Sequence, residues 1–271
     1  MQLWNAENGK KVTEYEPSQV NAAVQEVDVS PDSTQIASGS GGGRVFVISR
    51  LTRKHMSWES GWDVLAVKFS PDGRLIATAA QGPGDKFGCA GLYVTVNDSQ
   101  DGHSLFKVTV RNISTISEQP LAWSSNSKQL FALSHDCKIY CLDATTGKTL
   151  SQWPVRGNGS IARCITLANN GAFIAVSIGS SVSFWDTTTR KQIGSVIEHG
   201  TPVHNVKCMA ISENYDIAMG GLSKITFRTI RDILPSTYVS TFASTLNQAI
   251  VLTVAVSTGK PRNKGWCQVN K

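Results

Sequence analysis

Apolar and polar positions alternate along this chain in short runs, and each run stops at a cluster of turn formers. Val27-Asp28-Val29 leads into Ser30-Pro31-Asp32, and Ile36-Ala37-Ser38-Gly39 follows. Val67-Lys68-Phe69 leads into Ser70-Pro71-Asp72-Gly73, and Leu75-Ile76-Ala77-Thr78-Ala79 follows. Such runs predict strands. Pro at the second turn position presets φ and Gly closes the fourth, so the turns are predicted to be type I. Gly-rich stretches such as Ser38–Gly43 lead into further β-prone runs, here Val45-Phe46-Val47-Ile48.

The pattern recurs with a period. The residue opening the first turn is Ser30, Ser70, Ser124, Ala168 and Ser212, at intervals of 40, 54, 44 and 44 residues. A second marker, taken as the last strand of each copy, falls at Trp4, Ile48, Val96, Leu142, Trp185 and Arg228, at intervals of 44, 48, 46, 43 and 43. That period suits four short strands with their turns, the unit of one propeller blade. A single copy cannot bury both its faces, so the copies must pack on one another.

The copy endings carry a resemblance. Val182-Ser183-Phe184-Trp185-Asp186, Leu142-Asp143-Ala144-Thr145-Thr146-Gly147-Lys148 and Leu3-Trp4-Asn5-Ala6-Glu7-Asn8-Gly9-Lys10, with the two Ser-Pro-Asp turns, resemble the WD-repeat family. His199-Gly200-Thr201-Pro202-Val203 resembles the loop that brings that family's His to a blade's first strand, and Asp136 sits where the family places its structural Asp. No copy holds the full Asp, His, Ser/Thr and Trp set, so the repeats are degenerate. The resemblance implies an all-β propeller of four-stranded antiparallel blades and a protein that organises assemblies.

Six blades are expected, in one domain over residues 1–271. The N-terminal strand 2–5 would complete the blade formed by 238–271, with strands near Tyr238–Phe242, Ala249–Val256 and Gly265–Val269. A seven-bladed ring and an open fragment of a longer protein are the alternatives.

Composition narrows function little. Only 17% of residues are charged, which suits stacked sheets, and no apolar run reaches the length of a membrane span. The net charge of +6 is spread along the chain apart from Arg50–His55 and Lys260–Lys264, without interleaved aromatics, so solvated loops are expected rather than nucleic-acid contact. Six scattered cysteines (89, 137, 141, 164, 208 and 267) read as reduced thiols. The chain is expected to be soluble and intracellular, in the cytoplasm or the nucleus.

Signatures of chemistry are missing. No Gly-x-Ser-x-Gly elbow occurs. Gly39–Gly43 lacks the Lys-Ser/Thr of a phosphate-binding loop. Cys137 and Cys141, four apart on a strand, would stand about 13 Å from each other, too far to share one ion. The recurring aspartates Asp32, Asp72, Asp143 and Asp186 are accounted for by turns. No catalytic residue, cofactor or metal is therefore assigned. The expected function is a non-catalytic scaffold for protein or peptide partners, with Trp58, Trp62, Arg111 and Arg163 as candidate partner-binding residues. The alternatives are the propeller of a peptidase or other hydrolase, and a fragment of a larger signalling protein.

Overall fold

The computed structural model describes residues 2–5, 8–14, 23–82, 91–110, 119–134, 137–155, 161–200, 205–221 and 224–239. A two-stranded sheet comes first, β1 (Gln2–Trp4) against β2 (Lys11–Glu14). Four antiparallel four-stranded sheets follow. Blade 1 holds β3 (Val24–Val29), β4 (Gln35–Ser40), β5 (Arg44–Ser49) and β6 (His55–Glu59). Blade 2 holds β7 (Asp63–Phe69), β8 (Leu75–Gly82), β9 (Gly91–Asp98) and β10 (Ser104–Val110). Blade 3 holds β11 (Leu121–Trp123), β12 (Gln129–Ser134), β13 (Lys138–Asp143) and β14 (Thr149–Pro154). Blade 4 holds β15 (Ala162–Leu167), β16 (Phe173–Ile178), β17 (Ser181–Asp186) and β18 (Gln192–Glu198). Blade 5 has three strands, β19 (Cys208–Ile211), β20 (Asp216–Gly220) and β21 (Ile225–Thr229).

The first strands neighbour one another in series, β3 beside β7, β7 beside β11, β11 beside β15 and β15 beside β19, as strands lining a propeller axis must. The apolar cores accordingly lie between blades. Val45, Val47, Val64 and Phe69 join blades 1 and 2, while Leu92, Val94, Leu121 and Trp123 join 2 and 3. Phe131, Ile139, Ile174 and Trp185 join 3 and 4, and Phe173, Phe184, Met209 and Ile217 join 4 and 5. Each such side chain contributes about 1.5–3 kcal/mol by leaving water, and neither of its two blades buries it alone. No helix of the described residues is long and apolar enough to cross a membrane.

The turns form as the residues predict. In blade 1 the Ser30 hydroxyl donates to Asp32 Oδ1 (2.6 Å), the Thr34 N–H donates to the same carboxylate (3.0 Å), and the Gln35 N–H donates to the Ser30 oxygen (2.8 Å). Ser70 and Asp72 repeat the arrangement, and Gly73 closes that turn at φ +72°, in the left-handed region that favours glycine. At the second type of turn, Asp143 accepts from the N–H groups of Thr145 (3.0 Å) and Thr146 (2.8 Å).

Two expectations need correction. The described residues hold five blades, not six. Of the segment expected to supply a sixth, residues 240–271 lie outside the described residues. Tyr238 is not in a strand: Ser236–Tyr238 form a 3-10 turn, and the Tyr238 hydroxyl donates to Asp186 Oδ2 (2.6 Å) on blade 4. The second correction concerns the marker. Ile48, Val96, Leu142, Trp185 and Arg228 sit in third strands, with a fourth following in blades 1 to 4, and Trp4 lies on β1 of the two-stranded sheet, followed by β2. Asp136 lies outside the described residues. His199 is buried, and its backbone N–H donates to the Ser180 carbonyl (2.8 Å).

Trp185 lies in the core between blades 3 and 4, with its indole N–H donated to Ser183 Oγ (2.8 Å). Trp185→Ala should therefore lower stability by about 3–5 kcal/mol, read by chemical denaturation. The turn aspartates contribute stability that acid removes. At Asp32 and Asp143 hydrogen bonds hold the carboxyl below its ordinary 3.8. At Asp72 and Asp186 burial pushes upward, but hydrogen bonds from Ser70 and from Tyr238 lead the groups that outweigh it. A lowered carboxylate stabilises the fold above its unfolded value and loses that effect as pH falls through the folded one. Melting temperature should accordingly drop steeply below the ordinary aspartate value, and Asp→Asn changes at these turns should flatten the drop.

Candidate docking surface and axial network

The connection from β6 to β7 carries the two tryptophans singled out in the sequence, and the structure treats them differently. Trp58, on β6, packs with Met56 against the core between blades 1 and 2. Its ring fills the space over Gly102 in the β9–β10 turn, where a Cβ would lie 2.9 Å from the indole. Trp58 is a wedge across a blade junction. Trp62, at 38% relative exposure, faces solvent and stacks on Tyr93 of β9, with centroids 6.2 Å apart and planes 29° apart.

Small residues make that stack possible. A Cβ on Gly82 would meet the Tyr93 ring at 2.4 Å and the Trp62 ring at 2.9 Å. Gly43, at φ +78°, lets the β4–β5 turn run against the Trp62 backbone. The Ser60 N–H donates to the Gly43 carbonyl (2.7 Å) and the Ser60 hydroxyl bonds the Trp62 carbonyl (2.6 Å), which fixes the loop. Lys107 on β10 lies over the Tyr93 ring at 5.2 Å and donates to the Ser60 carbonyl (3.1 Å). Nearby, Arg44 pairs with Glu59 at 2.6 Å. The result is an exposed aromatic platform with cationic neighbours, on a loop held at both ends.

The other two candidates are not part of it. Arg163 is half-buried on β15, the inner strand of blade 4, where its carbonyl accepts from the Gln119 N–H (3.2 Å). Arg111 lies outside the described residues. Tyr93 and Lys107 escaped sequence reading because only the antiparallel pairing of β9 with β10 sets them beside the loop. The glycines flanking the β8–β9 connection were the one available hint.

A second polar cluster lies at the axis. Glu26 on β3 is buried and forms an ion pair with Lys68 of β7 at 2.9 Å, and Asp28 stands 4.0 Å from the same ammonium. Both carboxylates also accept backbone N–H groups of β7, Glu26 from Val67 (3.1 Å) and Asp28 from Phe69 (2.7 Å). The Gln119 amide donates to Glu26 (3.4 Å), and its oxygen accepts from the Met209 N–H of β19 (3.4 Å). Burial pushes the Glu26 and Asp28 carboxyls above their ordinary values, more than Lys68 and the backbone N–H groups draw them down. Burial opposes the Lys68 ammonium as well, yet Glu26 and Asp28 outweigh it and hold its pKa above the ordinary lysine value. Two carboxyls facing one ammonium make Lys68 the group that stays charged. Chemically the cluster joins strands.

Residues 51–86, running from the β5–β6 turn to just past β8, match the sequence model described as WD domain, G-beta repeat. That match falls on a blade junction, among five described blades around an axis. The chain is similar to WD-repeat proteins. It is also similar to eukaryotic translation initiation factor 3 subunit I of Scheffersomyces stipitis, at 28% identity over 177 residues. The alignment takes in 62% of this chain and spans about half (49%) of that relative's length.

Lys68→Met would leave the buried Glu26 and the partly buried Asp28 without their shared cation and should lower stability near neutral pH by less than the about 3–5 kcal/mol of a fully buried pair. Because burial has raised both carboxyls, they take up protons as pH falls. The deficit should therefore shrink as pH falls from neutral towards the raised carboxyl values, read by urea denaturation of wild type and variant side by side.

Proposed function

We propose that this chain is a non-catalytic WD-repeat scaffold that docks protein partners on its propeller, and that it works in the cytoplasm within an assembly of the kind named for its relative, translation initiation factor 3. The observation that carries the reading is the pair of features at the blade 1–blade 2 junction. Cores between the blades hold them in a stiff series, and Trp62 with Tyr93 presents a pre-positioned aromatic platform on it. Tryptophan and tyrosine dominate interface energetics because they bury large area at small rotamer cost. The cations beside them, Lys107 and Arg44, suit a partner surface with acidic residues around an apolar anchor. Similarity to a translation factor subunit supports the choice of assembly.

The test is co-sedimentation of tagged chain with translation initiation factor 3 subunits. The wild-type chain should be recovered in stoichiometric amount. Trp62→Ala should weaken recovery by about tenfold or more while the chain keeps a cooperative unfolding transition, the lost Tyr93 stack costing about 0.5–1.5 kcal/mol. A chain that sediments alone under these conditions overturns the assembly. Labelling of the chain by an active-site-directed serine hydrolase probe overturns the non-catalytic reading.

A further inference from the structure

Third strands in blades 1 to 4 are enclosed. The central residues of β5 (Val45, Phe46, Val47, Ile48) are buried, and β17 is buried throughout. β21, the third strand of blade 5, is the exception. Phe227, Arg228 and Thr229 are exposed, Phe227 to 48%. The cause is visible in the path of the chain. β5, β9, β13 and β17 each carry a fourth strand on their outer edge. After β21 the chain turns away instead: the Ile230 N–H donates to the Tyr215 carbonyl (2.8 Å), and Leu234 packs in the core between blades 4 and 5. Tyr238 is then held by Asp186 through its hydroxyl, and by Asn170, whose amide donates to the Tyr238 carbonyl (3.2 Å). Residues 230–239 are thus committed to blade 4, and among the described residues no strand pairs with the outer edge of β21.

We infer that the outer edge of β21 is a docking edge for an extended segment of a partner protein, which adds antiparallel as the fourth strand of blade 5. Alternate residues of an edge strand turn N–H and C=O away from their neighbour, here β20, and an incoming strand satisfies them. The sister blades specify the side chains it must bring. Their fourth strands alternate exposed residues with more buried apolar ones: Met56 and Trp58 on β6, Phe106 and Val108 on β10. Charge specifies the rest. Lys224 and Arg228 are exposed at this edge and carry no ion pair among the described residues. The segment therefore alternates apolar residues, which pack beside Ile225 and Phe227, with acidic ones facing Lys224 and Arg228. This names one docking route for the proposed scaffold. Its failure leaves the assembly test above untouched, because that test rests on Trp62.

Hydrogen exchange on the full chain, resolved over Ile225–Thr229, reads the edge directly. Free chain should exchange alternate β21 amides fast at every protein concentration. Adding a synthetic peptide of about eight residues with alternating Val and Glu should slow them by about tenfold or more. The same peptide N-methylated at alternate amides should neither bind nor protect. The double variant Lys224→Glu, Arg228→Glu should weaken the unmodified peptide by about tenfold, and more at low salt than at high. Amides already slow in dilute free chain would mean that the chain's own residues cover the edge. Amides that slow as concentration rises would mean that a second copy does. Either result overturns the inference, as does equal binding of the N-methylated peptide or absence of any protection by the unmodified one.

Discussion

Everything in this propeller depends on how neighbouring first strands are joined. Among the described residues each blade is a separate sheet, so no continuous backbone ladder joins them around the axis. The first strands nevertheless lie side by side, and their outward N–H and C=O groups need partners, because a buried one left unpaired costs about 1–3 kcal/mol. Each junction answers this with borrowed groups. Glu26 and Asp28 reach from β3 to the N–H groups of β7. The Trp123 indole donates to the Lys68 carbonyl (3.1 Å), which ties β11 to β7. Gln119 exchanges backbone bonds with Arg163 and Ile165 of β15 and reaches β19 through its side chain. Ser177 Oγ, from within blade 4, bonds the Cys164 N–H (3.1 Å) and the Val206 carbonyl before β19 (3.2 Å).

That scheme explains the mixed character of the axis. An apolar residue at position 26 would bury as well as Glu26, yet it would orphan the Val67 N–H and leave Lys68 facing Asp28 alone. The ion pair is tolerated in a buried place because its oxygens are used twice, by the ammonium and by the backbone. Blades joined in this way cannot shift by one strand position without breaking several bonds together. Rigidity at the axis is what allows exposed groups at the rim, such as Trp62, to be held ready for a partner before it arrives.

The sequence made the local units legible because they are local. Ser30-Pro31-Asp32 and Ser70-Pro71-Asp72-Gly73 close on themselves within six residues, so composition and order suffice to read them. The period led to the blade in the same way. The axial network was not legible, since Glu26 and Lys68 come together only through ring geometry and stand more than forty residues apart in the chain. Nor did spacing separate Trp58 from Trp62. They are four residues apart on one connection, and it takes Gly102 from the next hairpin to make one a wedge and Tyr93 to give the other its stacking partner. Tyr238 was unreadable for a related reason: its local sequence is strand-like, whereas Asp186 and Phe173, both on blade 4, hold it in a turn.

The strap of residues 230–239 links that turn to the exposed third strand of blade 5. Trp185-Asp186 is the most family-like ending in the chain, and its aspartate performs a task that the other turns lack. Besides the Thr188 and Thr189 N–H groups it accepts the Tyr238 hydroxyl, an arrangement that raises the tyrosine's pKa and lowers its own. Asn170 and the ring of Phe173 complete the seat. Blade 4 is thereby capped by the residues that directly follow β21. Among the described residues, the Tyr238 seat on blade 4 and the exposed third strand of blade 5 are two consequences of that one path.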